Sequence, residues 1–467
     1  MKHLVTQRET PPWRLSENGY FSQFLRQAKI IILEILQCIP VVIIFDFLDL
    51  EENISFSDSL LVKTEKEATM EFRIRRRVAL VLFTTFFVFF LTGTLMSEQV
   101  KIKGLEPTSD LSLKNEVQHA IARGLRWLKT QQSPNGYWSQ PEHPALSALV
   151  LTAFMRESSG RVKAKPPAYI RKGYEYLLHC VQPDGGIYVK DLANYNTAVS
   201  MMALVASYQP SYEPVLRDAR NFLVGLQGDF DKKGKADSPY DGGIGYGSRY
   251  SHSDMSNTMY ALETLYYTRF LAQDRGTGLI EFKDLNWPAV IRFIQRCQNL
   301  PSHNDQSWAS DDSQNVGGFV YFPGNSKAGE MKLPSGKTAL RSYGSISYAG
   351  LLSYIYADLD RDDPRVKAAF DWLQKNYTLE ENPGMGPQGL FYYYHTMAKA
   401  LAVYGANTIV LKGGKEVDWR RGLAFRLLDL QKGDGFWVNE NGRWWEKDPV
   451  LVTAYAIMTL EILYQGL

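Results

Sequence analysis

Between residues 112 and 467 the chain repeats one pattern six times: a run of small and aliphatic residues opened by a hydroxyl side chain. The runs are LSALVLTAF (146–154), NTAVSMMAL (196–204), NTMYALETL (257–265), ISYAGLLSY (346–354), GLFYYYHTMAKAL (389–401) and VTAYAIMTL (452–460). Aligned, they place Ser147, Thr197, Thr258, Ser347, Thr396 and Thr453 in one column, 306 residues from first to last, at intervals that average about 61. Upstream of each opener lies an aromatic–aliphatic or aliphatic pair, usually followed by a glutamine and then by a glycine with an aromatic close behind. Trp127-Leu128 leads to Gln132 and Gly136-Tyr137-Trp138; Leu427-Leu428 leads to Gln431 and Gly435-Phe436-Trp437. The upstream segment of the first copy is periodic at Val117, Ile121, Leu125 and Leu128, as one buried stripe of a helix requires.

Each unit therefore reads helix, glycine–aromatic loop, helix. A single helical hairpin cannot bury its apolar face, so neighbours must stack. Six hairpins that curve and close predict an all-α fold, an (α/α)6 toroid with the second helices as an inner ring. The six hydroxyl residues are expected in the first turns of those inner helices, at one end of the ring. The aromatic run 389–394 is expected to be a loop entering the fifth one.

Residues 1–111 stand outside the repeat. Residues 78–96 carry no charge and are long enough to cross a bilayer as a helix. Arg73, Arg75, Arg76 and Arg77 precede them, which favours a cytoplasmic N-terminal side and an extracytoplasmic ring. The expected organisation is an N-terminal extension (1–69) that need not persist in the mature protein, a signal-anchor and tether (70–111), and the toroid (112–467). The membrane, through that helix, is the expected partner. A net charge of +2 gives no electrostatic case for nucleic acid. Three cysteines argue against a disulfide framework, and Cys180 and Cys297 read as apolar packing residues.

Loop length points to one face. Two long connections, 228–256 and 299–345, fall at the end where inner helices begin, and insertions gathered on one face of a repeat protein mark a binding face. That face is rich in aromatics, among them Tyr195, Trp308, Tyr343, Tyr392, Tyr393, Tyr394, Trp444 and Trp445. Such a lining suits an apolar or polyisoprenoid ligand. For Tyr188, Tyr246 and Trp437, which follow loop glycines, stacking between repeats explains the aromatic as well.

The pieces Trp127–Trp138 and Leu427–Trp437 resemble the glutamine–tryptophan motifs of squalene and squalene–hopene cyclases. The six-hairpin plan is similar to that superfamily, which includes the protein prenyltransferase β subunits. The resemblance spans 112–467 and implies an α/α toroid acting on or binding a polyprenyl or terpenoid lipid. Its catalytic motifs are missing. The prenyltransferase zinc set would need Asp and Cys where Arg341 and Tyr343 stand, so only Tyr394-His395-Thr396 matches and no metal or other cofactor is expected. The cyclase Asp-x-Asp-Asp-Thr-Ala motif falls on Ala193–Ala198 and on Asp254-Met255-Ser256-Asn257-Thr258-Met259, where only Asp254 survives. Asp360-Arg361-Asp362-Asp363 matches by letter, but it follows an inner helix by ~14 residues, about 21 Å, and reads as a helix cap.

Three readings follow: an isoprenoid enzyme using Asp254 and His395, a non-catalytic toroid binding a lipid or protein, and a glycan-active toroid with paired carboxylates. An apolar central cavity would favour the first, a filled centre the second, an open groove the third. Asp254 and His395 are the candidate catalytic pair, with Asn196, Asn257, Tyr343, Tyr392–Tyr394 and Trp308 lining the cavity. The positive end of its helix is expected to lower the Asp254 pKa.

Overall fold

The computed structural model describes residues 108–235, 237–247, 252–272 and 284–467. The chain divides into two units, Met1–Thr108 and Ser109–Leu467; the first, and with it the expected span at 78–96, lies outside the described residues except for Thr108. Among the described residues no helix is long and apolar enough to cross a membrane.

The second unit is an α/α ring. Outer helices α1 (Thr108–Thr130), α4 (Ala168–His179), α6 (Glu213–Gly225), α8 (Trp287–Arg296), α10 (Pro364–Lys375) and α12 (Trp419–Leu430) alternate with inner helices. The inner ones are α2 (Pro144–Arg156), α5 (Ala193–Ala206), α7 (Met255–Tyr267), α9 (Gly344–Tyr356), α11 (Leu390–Tyr404) and α13 (Pro449–Gly466). A short α3 (Arg161–Ala164) lies in a connection. Inner helices pack in the order α2, α5, α7, α9, α11, α13, and α13 packs again on α2, so the ring is closed. Burial follows the sequence pattern: every residue from Pro144 to Met155 of α2 is buried, whereas α6 buries Leu216, Ala219, Arg220, Leu223 and Val224 as a stripe. Two short hairpins decorate the connections: β1 (Glu330–Lys332) with β2 (Thr338–Leu340), and β3 (Ile409–Val410) with β4 (Glu416–Val417).

The repeated residues are the joints of this ring. In five repeats the column hydroxyl accepts from the backbone N–H of a residue in the glycine loop: Trp138 to Ser147 (2.9 Å), Ile187 to Thr197 (2.9 Å), Ile244 to Thr258 (2.9 Å), Phe319 to Ser347 (3.0 Å) and Trp437 to Thr453 (3.0 Å). The glutamine amide ties that loop to the next outer helix. Gln132 donates to Gly136 O and Tyr169 O, Gln298 to Gly317 O and Arg365 O, and Gln431 to Gly435 O and Ala120 O. The last of these bonds joins repeat six to repeat one. Gly317 shows why the loop residue is glycine: its φ is +91°, and a Cβ would overlap the Ala368 carbonyl of the next outer helix.

Repeat five departs from the expectation. The aromatic run is not a loop: α11 begins at Leu390, so Thr396 lies in its second turn and donates to Tyr392 O, with no loop N–H to accept. The helix start is held instead by Glu446 from the last repeat, whose carboxylate accepts from the backbone N–H groups of Phe391 (3.3 Å) and Tyr392 (2.8 Å). Asp363 caps α10 through Arg365 N, the helix cap that the sequence suggested for Asp360–Asp363.

Candidate functional site

Where the inner helices begin, short polar side chains lace neighbouring helix starts together. Asn196 accepts from Ala145 N at the start of α2 and donates to Asp191 O. Asn194 donates to Asn257 O in α7. Asp254 is the N-cap of α7: Oδ1 accepts from Asn257 N (2.9 Å) and Oδ2 from the Asn257 amide (2.8 Å). These bonds give Asn196, Asn257 and Asp254 structural work at the helix ends.

The Asp254 carboxyl is fully buried, and desolvation raises its pKa to about 6. The Asn257 bonds, the nearby His252 and the Tyr321 hydroxyl pull it down, but burial outweighs them. The expected lowering by the helix end therefore does not prevail, because a carboxylate cut off from water loses more than two amide donors and a helix dipole return.

The axis is filled by tyrosines. Tyr195 of α5, Tyr260 of α7, Tyr392 of α11 and Tyr455 of α13 converge, with Tyr195–Tyr260 edge-to-face at 5.0 Å, Tyr260–Tyr392 at 6.3 Å and Tyr392–Tyr455 at 6.1 Å. The Tyr455 hydroxyl lies 3.4 Å from those of both Tyr195 and Tyr260, and Ser256 Oγ 3.4 Å from that of Tyr392. Tyr260 and Tyr455 are buried, whereas Tyr195 and Tyr392 stay partly exposed. The Tyr246 and Tyr321 hydroxyls meet at 3.0 Å, and Tyr343, buried, is the residue at the N-cap position of α9, with no side-chain cap bond.

His395 sits one turn deeper on α11 and stacks on Tyr455 at 5.4 Å, with Nδ1 3.4 Å from Thr459 Oγ1. Burial first, then the charges of Lys399 and Arg156, hold its pKa well below the ordinary value, so the ring is neutral. No hydrogen bond joins it to Asp254 among the described residues. A small cavity of about 50 Å³ lies beside it, lined by Leu149, Thr152, Arg156, Glu263, Lys399 and others.

The remaining expected lining residues are placed elsewhere. Tyr393 donates to Thr378 O (2.9 Å) and Tyr394 to Leu379 O, both in the connection before α11, so only Tyr392 of that run reaches the axis. Trp308 lies in the 299–345 connection and makes no ring contact with this cluster among the described residues. Tyr188 stacks on Phe222 of the next repeat (5.8 Å), the inter-repeat role that the glycine-linked aromatics suggested. Trp437 donates its indole N–H to Leu427 O within its own repeat, while its ring lies against Gly124 of repeat one. Tyr260 and Tyr455 were not singled out from sequence. Their signal was available: both lie two residues after the column hydroxyl, a position that turns inward in α7 and α13.

No known family profile matches the chain, and no curated protein matches it in sequence. Among solved structures the chain is similar in fold to the type II terpene cyclase MstE from Scytonema, with 12% identity, TM-score 0.45, and coverage of 76% of this chain and 99% of that one. A variant of that enzyme in complex with geranylgeranyl dihydroxybenzoate matches at 11% identity and TM-score 0.43, over 76% and 100% of the two chains. A protein from Actinoplanes matches at 13% identity and TM-score 0.40, over 74% and 99%. The ring itself rests on the helix packing described above.

Proposed function

We propose that this toroid binds, without chemically transforming, a terpenoid-like apolar ligand on the tyrosine face of its ring. The filled axis carries this reading. A chamber for a sizeable ligand measures roughly 300–1,000 Å³, against about 50 Å³ beside His395. Alkene protonation or glycoside cleavage needs an acid facing substrate, yet both Asp254 oxygens serve Asn257, and those of Glu446 serve α11 and Asn439. Tyr195 and Tyr392 present aromatic faces beside hydroxyls, which suit a hydrocarbon with a polar end. Anchoring by residues 78–96, with the ring outside the cytoplasm, belongs to the same proposal and would keep the ring near a lipid source.

The test is fluorescence titration with geranylgeraniol-type alcohols, paired with mass spectrometry of the extracted lipid. Saturable binding, weakened at least tenfold by Tyr392→Ala, with the lipid recovered unchanged, is the expected result. A new product whose formation stops in Asp254→Asn would restore the enzyme reading, and absence of saturable binding would remove the lipid. A phosphatase reporter after Leu467 tests the orientation; an inactive reporter in cells that make the fusion overturns it.

A further inference from the structure

The turn that leads into α13 holds two tryptophans in a conformation that side chains avoid. Trp444 and Trp445 follow one another with φ of +53° and +66°, in the left-handed region where glycine is the usual residue. The turn is fixed from its flanks. The Glu446 carboxylate holds the start of α11, Asn439 donates its amide to Pro387 O and to Glu446, and Asp448 accepts from Ser139 Oγ in the loop of repeat one. In the ring α13 stands between α11 and α2, and the two indoles lean to opposite sides of it. Trp444 lies over Gly389 at the start of α11, where a Cβ would come within 2.7 Å of the ring. Trp445 meets the ring of His143, at the start of α2, at 4.5 Å.

Burial does not account for them. Trp444 keeps 42% and Trp445 40% of its surface in solvent, so each ring covers a helix start with one part and leaves the rest open. Two strained aromatics in a row, rigidly held and half open, fit a clamp for a ligand better than packing. The exposed residues of the same two connections are polar: Gln140, Glu142, Glu440, Arg443 and Lys447. Arg443 lies over the Trp444 ring at 4.7 Å and donates to Gln388 Oε1, which leaves the Gln388 amide N–H groups free among the described residues. Two acids against two bases give no net attraction for an anionic surface, and a bilayer selects a contiguous apolar patch.

We infer that this tryptophan turn binds a neutral oligosaccharide. The C–H-bearing face of a pyranose stacks on the electron-rich face of an indole, and its hydroxyls meet donors and acceptors in Gln388, Arg443 and Glu440. The two indoles make no ring contact with each other among the described residues, so they offer two platforms, one on either side of α13. That arrangement fits linked sugar units, not a single one. The tyrosines of the axis take no part, so the inference stands whether or not that face takes a lipid.

The experiment titrates the full chain, in a detergent without a sugar headgroup, with cellotetraose, N-acetylchitotetraose, maltotetraose and the parent monosaccharides, read by calorimetry and tryptophan fluorescence. The expected result is saturable binding of at least one tetrasaccharide, at least tenfold tighter than its monosaccharide. Trp444→Met and Trp445→Met keep apolar bulk but no π-face, and each should weaken that binding at least tenfold with the fold retained by circular dichroism. Trp444→Tyr and Trp445→Tyr keep an aromatic face and should retain most of the affinity. Binding by no tetrasaccharide, or affinity in both methionine variants equal to that of the parent, would overturn the inference. A bilayer is tested with the full chain in nanodiscs of brominated phosphatidylcholine: fluorescence quenching that vanishes in Trp444→Phe/Trp445→Phe would place the pair in lipid and overturn it as well.

Discussion

At Asp254 desolvation works against two amide donors, and the outcome fixes a pH dependence. Its folded pKa of about 6 lies above the ordinary 3.8, so the native state takes up the proton first as pH falls. Its stabilising contribution is complete below about pH 4 and is lost as pH rises through 6. One pKa unit is about 1.4 kcal/mol, so the difference is on the order of 3 kcal/mol. Asp254→Asn keeps a capping oxygen and removes the titration. Denaturant unfolding between pH 4 and 8 should therefore show parent stability falling relative to the variant as pH rises; parallel curves would contradict it. Glu446 is buried too, with its pKa raised by desolvation, and it holds the start of α11 and the Asn439 amide, which belong to other segments of the chain. Glu446→Ala strands three donors and should cost about 3 kcal/mol or more, at roughly 1–3 kcal/mol for each unsatisfied group, measured as a shift in unfolding midpoint.

Helix-to-helix joints explain both what the sequence makes legible and where it misleads. The glutamine recurs because one amide satisfies two carbonyls, one in its own loop and one on the next helix. Gln298, itself fully buried, goes further and also accepts from the Tyr354 hydroxyl (2.8 Å). Among the described residues the Gln182 amide bonds only within its own loop, to Cys180 O and Tyr188 O. Gln298→Ala should thus cost about 2–4 kcal/mol and Gln182→Ala about 1 kcal/mol, at roughly 1 kcal/mol net per bond plus the stranded groups; equal costs in denaturant unfolding would deny the joint its role. The hydroxyl column was readable for the same reason, since a loop N–H needs the same acceptor in each repeat. In repeat five that acceptor is not used, and a carboxylate 50 or more residues downstream replaces it. Local pattern cannot show a cap brought in from the next repeat, so Gly389–Tyr394 looked like a loop. The tyrosine plug was hidden differently: tyrosine reads alike whether it lines a cavity or fills one, and only the neighbouring helices decide.

Closure is a property of the whole ring, and it makes the position of the chain ends nearly arbitrary. The seam between repeats six and one carries the same devices as the internal ones. Gln431 donates to Ala120 O, Arg123 donates to Lys432 O and Gly433 O, and α13 packs on α2. The two ends of the repeat unit also meet on one helix: Arg421 of α12 pairs with Asp110 at 2.5 Å, and Gly466 lies against the Arg420 side chain. An open stack of hairpins would need capping repeats and would fray from its ends, whereas here no repeat is terminal in contact terms. The β3–β4 hairpin offers a place to cut, since nothing packs where a side chain at Gly413 or Gly414 would project. A permuted chain that joins Leu467 to Asp110 through a short flexible linker, and begins at Gly414, keeps all six inner-helix interfaces and the Gln431 bonds. Its circular dichroism should match that of an unpermuted 110–467 chain, with a single unfolding transition and a Tm within about 5 °C, because only one exposed turn is lost and ~1 kcal/mol moves a domain this large by only a few degrees. A permuted chain that fails to fold while the unpermuted one does would mean that the seam is weaker than its bonds indicate.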